Sequence, residues 1–171
     1  MRDIVKELGF LTLGTRFKRI GDLLQAQTQE LLSKNGMELP AAHNPLLAAL
    51  DQLGPLGVSE LSRAVGVSQP VVSRSLLGLV ESGLVESKSV TNDQRVRRIQ
   101  LSRKGRERVK FAKQVVWPLV EAAVAQVCEP LSGSLLEQLP ALELALEKVS
   151  LEQRASDFAP GPLVSSHRTH S

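Results

Sequence analysis

The sequence has 171 residues, of which 42% are hydrophobic and 23% charged, which is enough to bury a core and argues against a chain disordered as a whole. The net charge is only +3, and four Phe, one Trp and no Tyr are too few aromatics for a base-stacking platform for single-stranded nucleic acid. The single cysteine, Cys128, leaves no internal disulfide and fits a reducing compartment. No charged-then-apolar leader opens the sequence, and no apolar run approaches the ~20 residues that span a bilayer, so a cytoplasmic protein is expected. Few segments alternate with period two, so the chain is expected to be mainly helical.

From Ile4 to Ser33, apolar residues recur at three- and four-residue steps, predicting a helix interrupted by Gly9, Gly14 and Gly21 and stopped by Asn35-Gly36. A connector, Met37 to His43, leads to a short helix with Asn44 as its cap, Pro45 at its first position and Leu46, Leu47 and Leu50 as its apolar stripe. Gly54-Pro55 ends it. Gly57 opens the next helix, with Glu60 placed to return a carboxylate to the free N–H groups.

Ser59 to Val65 then reads as a helix, Gly66-Val67-Ser68 as a tight turn, and Gln69 to Ser82 as a second helix with Ser68 as its cap and Pro70 in its first turn. Helix, glycine turn and capped helix form a helix-turn-helix. Leu84–Val90 and Val96–Leu101 read as two strands joined by a turn at Thr91-Asn92-Asp93-Gln94. The combination is a winged helix.

Ser102 caps a long helix running to about Val127, kinked at Pro118. After a break from Pro130 to Gly133, a last helix runs from Ser134 to about Arg154, with Pro140 inside it. The first, fifth and sixth helices carry more apolar surface than one winged helix can cover, which predicts a dimer. The expected organisation is a helical dimerisation region over 1–36, the winged helix-turn-helix over 44–104, dimerisation helices over 105–154, and a disordered tail over 155–171.

Positive charge crowds the middle of the chain: Arg63, Arg74, Lys88, Arg95, Arg97, Arg98, Arg103, Lys104, Arg106 and Arg108, against Glu60, Glu81, Glu86, Asp93 and Glu107. Its coincidence with the helix-turn-helix, rather than the total, is the footprint of phosphate binding.

The runs SELSRAVGVSQPVVSR, LVESGLVE and DQRVRRIQLS, and the KG that follows, resemble the MarR (multiple-antibiotic-resistance type) family of winged-helix regulators; the motifs span Asn44 to Glu107. The resemblance implies a homodimer built by terminal helices, two winged lobes reaching successive major grooves, and a repressor released by a small ligand. This sequence departs from the family pattern at Ser75 and Gly78, where larger residues are usual, at Ser87, where a basic residue is common, and at Gln94, which replaces one of the paired wing-tip arginines. The N-terminal cysteine of the family's peroxide sensors is absent.

On the second helix, Val72, Leu76, Leu79 and Val80 are spaced for burial. Gln69, Pro70, Val71, Ser73 and Arg74 are the candidate base readers: Arg74 for guanine, Gln69 for adenine, Pro70 and Val71 for a thymine methyl. Ser59, Ser68, Lys88 and Arg98 are phosphate candidates. Arg95 is placed for the minor groove, with Asp93 orienting it. Arg97 ranks ahead of Arg98 for the wing contact because it lies nearer the tip, and one of the two is structural. Arg95→Ala is expected to weaken binding by about 1–3 kcal/mol.

Other chemistry is thin. His167 and His170 fall in the tail without the further ligands a metal needs. His43 reads as a helix-start or ligand-pocket residue, and Cys128 as a buried apolar one. No phosphate-cradling glycine loop, nucleophile elbow or paired carboxylate is present, so neither an enzyme nor a cofactor is expected. The expected partner is duplex DNA with a pseudo-palindromic site. The competing reading is a winged-helix module that binds protein and has no specific operator.

Overall fold

The computed structural model describes residues 1–89 and 97–156. It is mainly helical, with one two-stranded antiparallel sheet, as expected. The chain divides into two compact units, Met1–Ala123 and Val124–Ser171. The expected wing turn at Thr91–Gln94, with Asp93 and Arg95, and residues 157–171 of the tail expected over 155–171 lie outside the described residues; Ala155 and Ser156, expected in that tail, are helical.

The helix expected over Ile4–Ser33 is broken at Gly9. A first turn, α1 (Ile4–Glu7), is capped by the Asp3 carboxylate, and a 3-10 turn, Gly9–Thr12, leads into α2 (Leu13–Lys34). The Thr12 hydroxyl donates to the Val5 carbonyl at 2.6 Å and holds the corner. Asn35 ends α2, its side-chain amide donating to the Leu31 carbonyl at 2.8 Å. Of α2 only Leu32 is buried. The connector after it is not loose: Met37 is fully buried with Leu32, Ala41, Ala112 and Val116 in a small core.

Helix α3 (Asn44–Leu53) buries the leucine stripe predicted for it. Asn44 is not its cap. His43 holds that position, and the Asn44 amide instead donates to the Ala41 carbonyl at 3.1 Å and accepts from Trp117 Nε1 at 3.3 Å. Helix α4 (Val58–Val65) starts as expected, with the Gly57 N–H donating to Glu60 Oε2 at 2.7 Å. It ends at Gly66, whose φ of 69° is the left-handed conformation that spares a Cβ clash.

Helix α5 (Gln69–Glu81) follows, then β1 (Val85–Ser89) and β2 (Arg97–Leu101), paired antiparallel with Val85 opposite Leu101 and Lys88 opposite Arg98. Leu56, between α3 and α4, forms a bridge to Ile99, adding a third extended segment that the sequence pattern did not reveal. Leucine and valine side chains of α3, α4, α5 and both strands close into the main core together with Val109. Burial of this apolar area is what holds the lobe together.

Helix α6 (Arg103–Phe111) is capped by the Ser102 hydroxyl, which accepts from the Gly105 N–H at 3.0 Å. A π-helical stretch, Ala112–Val116, then joins α6 to α7 (Trp117–Cys128), which carries the chain from the first unit into the second. Proline at 118 has no N–H for the ladder and its ring crowds the carbonyl four residues back; the wider turn just before it absorbs both faults.

The second unit contains α8 (Leu135–Lys148), continuous through Pro140, and α9 (Leu151–Ser156). The single helix expected there is split because Val149 is extended and the Ser150 hydroxyl accepts from the Gln153 N–H at 3.1 Å, starting a new helix. Each unit leaves large apolar side chains exposed: Phe17, Ile20 and Leu23 in the first, Leu136, Leu144 and Leu151 in the second. No helix among the described residues is long and apolar enough to cross a membrane.

Candidate nucleic-acid interface

Helix α5 has two sharply different faces. Val72, Leu76 and Leu79, at steps of four and three, are buried. On the opposite side Pro70 and Arg74 are exposed; Gln69, in the first turn, and Ser73, on the flank, are exposed too, and Val71 is 49% exposed. Val80, expected in the core, is instead 50% exposed, because it lies well off the line set by the three buried residues. Leu77, at 66% exposed, belongs to the outward face as well; the sequence pattern gave no reason to single it out.

The N-terminal end of α5 is open. Ser68 occupies the cap position with extended backbone, but its hydroxyl makes no capping bond, contrary to the expected role. The unshared N–H groups of the first turn therefore point out beside a hydroxyl that has no partner among the described residues, an arrangement that suits a phosphate oxygen. Ser59, in the first turn of α4, is also exposed.

The C-terminal end of α5 is held tightly. The Gly83 N–H donates to the Val80 carbonyl and the Leu84 N–H to the Leu79 carbonyl, both at 2.9 Å, with Gly83 at φ 70°. The start of α6 then grips this cap. Lys104 Nζ donates to the Ser82 carbonyl at 2.8 Å, and the Ser102 hydroxyl donates to the Gly83 carbonyl at 2.6 Å. Gly105 passes so close that a Cβ there would run into the Leu84 carbonyl oxygen. The lysine-glycine pair after the wing is thus a clamp on the end of α5.

The basic residues sort by what their heads touch. Arg63, Arg74 and Lys88 are exposed and have no hydrogen-bond or ion-pair partner among the described residues. Arg98, expected at a phosphate, is turned inward: it donates to the Pro55 carbonyl at 2.9 Å and to Glu60 Oε1 at 3.4 Å, tying β2 to the start of α4. Arg106 donates to the Leu101 carbonyl and Arg108 to the Gly36 carbonyl, at 2.8 and 2.9 Å. Arg103 pairs with Glu107 on the surface. Arg97 opens β2, opposite Ser89.

Behind α5, His43 packs against Gly78; a Cβ on Gly78 would lie 3.4 Å from His43 Cε1. The small residue at 78 therefore makes room for the imidazole. Among the described residues His43 Nδ1 is buried without a hydrogen-bond partner, and burial pushes the pKa of the ring below its ordinary value. An open cleft of about 360 Å³ lies between the end of α2 and the outer side of α6, lined by Asn35, Gly36, Lys104, Glu107, Arg108 and Phe111. No group of metal-binding side chains occurs among the described residues.

Comparison with known proteins agrees with this geometry. Residues 45–87 match the family model described as "Bacterial regulatory protein, arsR family", which runs from the start of α3 into β1 and stops before the second wing strand. Solved structures match over far more of the chain. MosR, a transcriptional regulator of M. tuberculosis, is 24% identical, with 78% of this chain and 94% of that one covered and a TM-score of 0.62. A MarR/EmrR family regulator from Acinetobacter sp. ADP1 is 18% identical, with 80% and 92% covered and a TM-score of 0.64. MepR of S. aureus, solved as a DNA complex, is 18% identical, with 83% and 96% covered and a TM-score of 0.62. The helix-turn-helix, its wing strands and its flanking helices together have the fold of the MarR-family transcriptional regulators.

Proposed function

We propose that the chain is a homodimeric regulator that binds a pseudo-palindromic duplex operator, acting as a repressor released by a small-molecule effector. The observation that carries this reading is the outward face of α5, where Arg74 stands exposed and unpaired among the described residues beside Gln69, Pro70 and Ser73. An arginine there can pair bidentately with guanine, and a glutamine with adenine. Arg63, Lys88 and the open first turn of α5 supply phosphate contacts around it. Arg95 and Arg97 are assigned to the minor groove, with Asp93 orienting Arg95.

The exposed apolar side chains of both units support a second copy as partner. Two-fold symmetry then sets half-sites about one helical turn, ~34–36 Å, apart. The DNA complex of MepR supports the docking mode, since that protein shares the fold. For the effector, the cleft beside α6 is the candidate seat: Lys104 and Arg108 suit an anion, Phe111 an apolar body, and Lys104 also holds the end of α5.

A gel shift against the promoter region of the protein's own gene tests the reading. Sequence-specific, salt-sensitive binding is expected. Absence of specific binding at low salt would favour the protein-interaction module instead.

A further inference from the structure

From the outward face of α5 we infer that Leu77 is a base-reading residue, specific for a thymine methyl group in the major groove; the inference rests on the DNA-binding reading above. Pro70, Arg74, Leu77 and Glu81 follow one another at steps of four, three and four, so they form one line along the helix. That line lies opposite the buried line of Val72, Leu76 and Leu79. Leu77 is 66% exposed on it, more than Val71 or Val80, which sit at its edges at 49% and 50%. An isolated surface leucine needs no explanation. This one sits on the same line as the arginine assigned to guanine, one turn further along.

The chemistry of the groove narrows what Leu77 can read. Its side chain has no donor or acceptor, so it gains nothing from the polar edges of guanine, adenine or cytosine. Thymine alone of the four bases offers an apolar group there, the C5-methyl. Three residues of helix advance about 4.5 Å along the axis, close to the ~3.4 Å rise of one base pair. The thymine therefore falls within about one or two base pairs of the guanine read by Arg74. Val71 and Pro70, at the start of the helix, reach a different part of the half-site.

The test uses the full chain and sites recovered by selection from a random duplex pool. Each thymine of the selected site is replaced in turn by deoxyuridine, which removes only the methyl. For the wild-type protein, one position next to the arginine-read guanine is expected to lose affinity by about fourfold, the value of burying one methyl-sized group. In Leu77→Ala that difference disappears while other thymine positions keep theirs. Because Leu77 is exposed, this variant is expected to unfold at the wild-type temperature. If every deoxyuridine effect seen with wild type persists in Leu77→Ala, or if wild type tolerates deoxyuridine everywhere, the assignment is overturned and the DNA-binding reading stands. If wild type selects no sequence at all, both fall.

Discussion

The two ends of α5 are built differently. At its start, the Ser68 hydroxyl is unused by the helix and the nearby cations, Arg63 and Arg74, have no partners among the described residues. At its finish, Lys104, Ser102 and Gly105 of the following helix close on the Ser82, Gly83 and Leu84 carbonyls. The first end is open; the second is fixed to the start of α6. The contrast also separates the cations. Those of α4, α5 and β1 point outward, whereas Arg98, Lys104, Arg106 and Arg108 end on backbone carbonyls. Charge counted along the sequence mixes the two groups.

The largest expected effect comes from closing the space at the clamped end. Gly105→Ala forces the α6 start away from Leu84 and is expected to cost about 2–3 kcal/mol, the upper range for overpacking, read as a lowered thermal midpoint. A wild-type midpoint would mean that the clamp yields freely. At the open end, Arg74→Ala is expected to weaken operator binding by about 1–3 kcal/mol and relax specificity at one base pair, with no change in unfolding. Arg98→Ala inverts that pattern. Losing its bond to the Pro55 carbonyl is expected to cost about 1 kcal/mol of stability, while the salt slope of DNA binding stays as it was.

His43 gives a pH signature. Burial holds its pKa below the ordinary value, so the unfolded chain takes up the proton first as pH falls through about 6.5. Stability contributed by the neutral ring is therefore present above that pH and lost as pH falls toward the folded pKa. Stability curves from pH 8 to pH 5.5 should show a fall that is smaller in His43→Phe; parallel curves would contradict it. The smallest effect belongs to Lys88. Lys88→Ala is expected to weaken binding to all sequences alike and reduce the salt slope by about one.

Much of the lobe was legible in the sequence because its signals are local. Gly66, the Glu60 return to Gly57, the Ser102 cap and the leucines of α3 each follow from neighbours a few residues away. What escaped depends on partners distant in sequence. The Leu56–Ile99 bridge joins segments more than forty residues apart, Arg98 finds Pro55 and Glu60, and Asn44 finds Trp117 instead of capping its own helix. Ser150 is a different miss, a local cap hidden inside a periodic leucine pattern. In α5, helical spacing places Val80, four residues after Leu76, with the core and leaves Leu77 out of it; only the orientation of the packed helix shows that both are exposed while Leu76 and Leu79 are buried.

The difference between outward and inward cations is tested most directly by comparing Arg74→Ala with Arg108→Ala in titrations against the selected operator and a scrambled duplex of equal length. The ratio of the two affinities is unaffected by the fraction of protein that is folded. Arg74→Ala is expected to lower that ratio by about 5- to 150-fold, and Arg108→Ala to leave it at the wild-type value. An unchanged ratio for Arg74→Ala together with a reduced one for Arg108→Ala would contradict the assignment of α5 as the DNA-reading element.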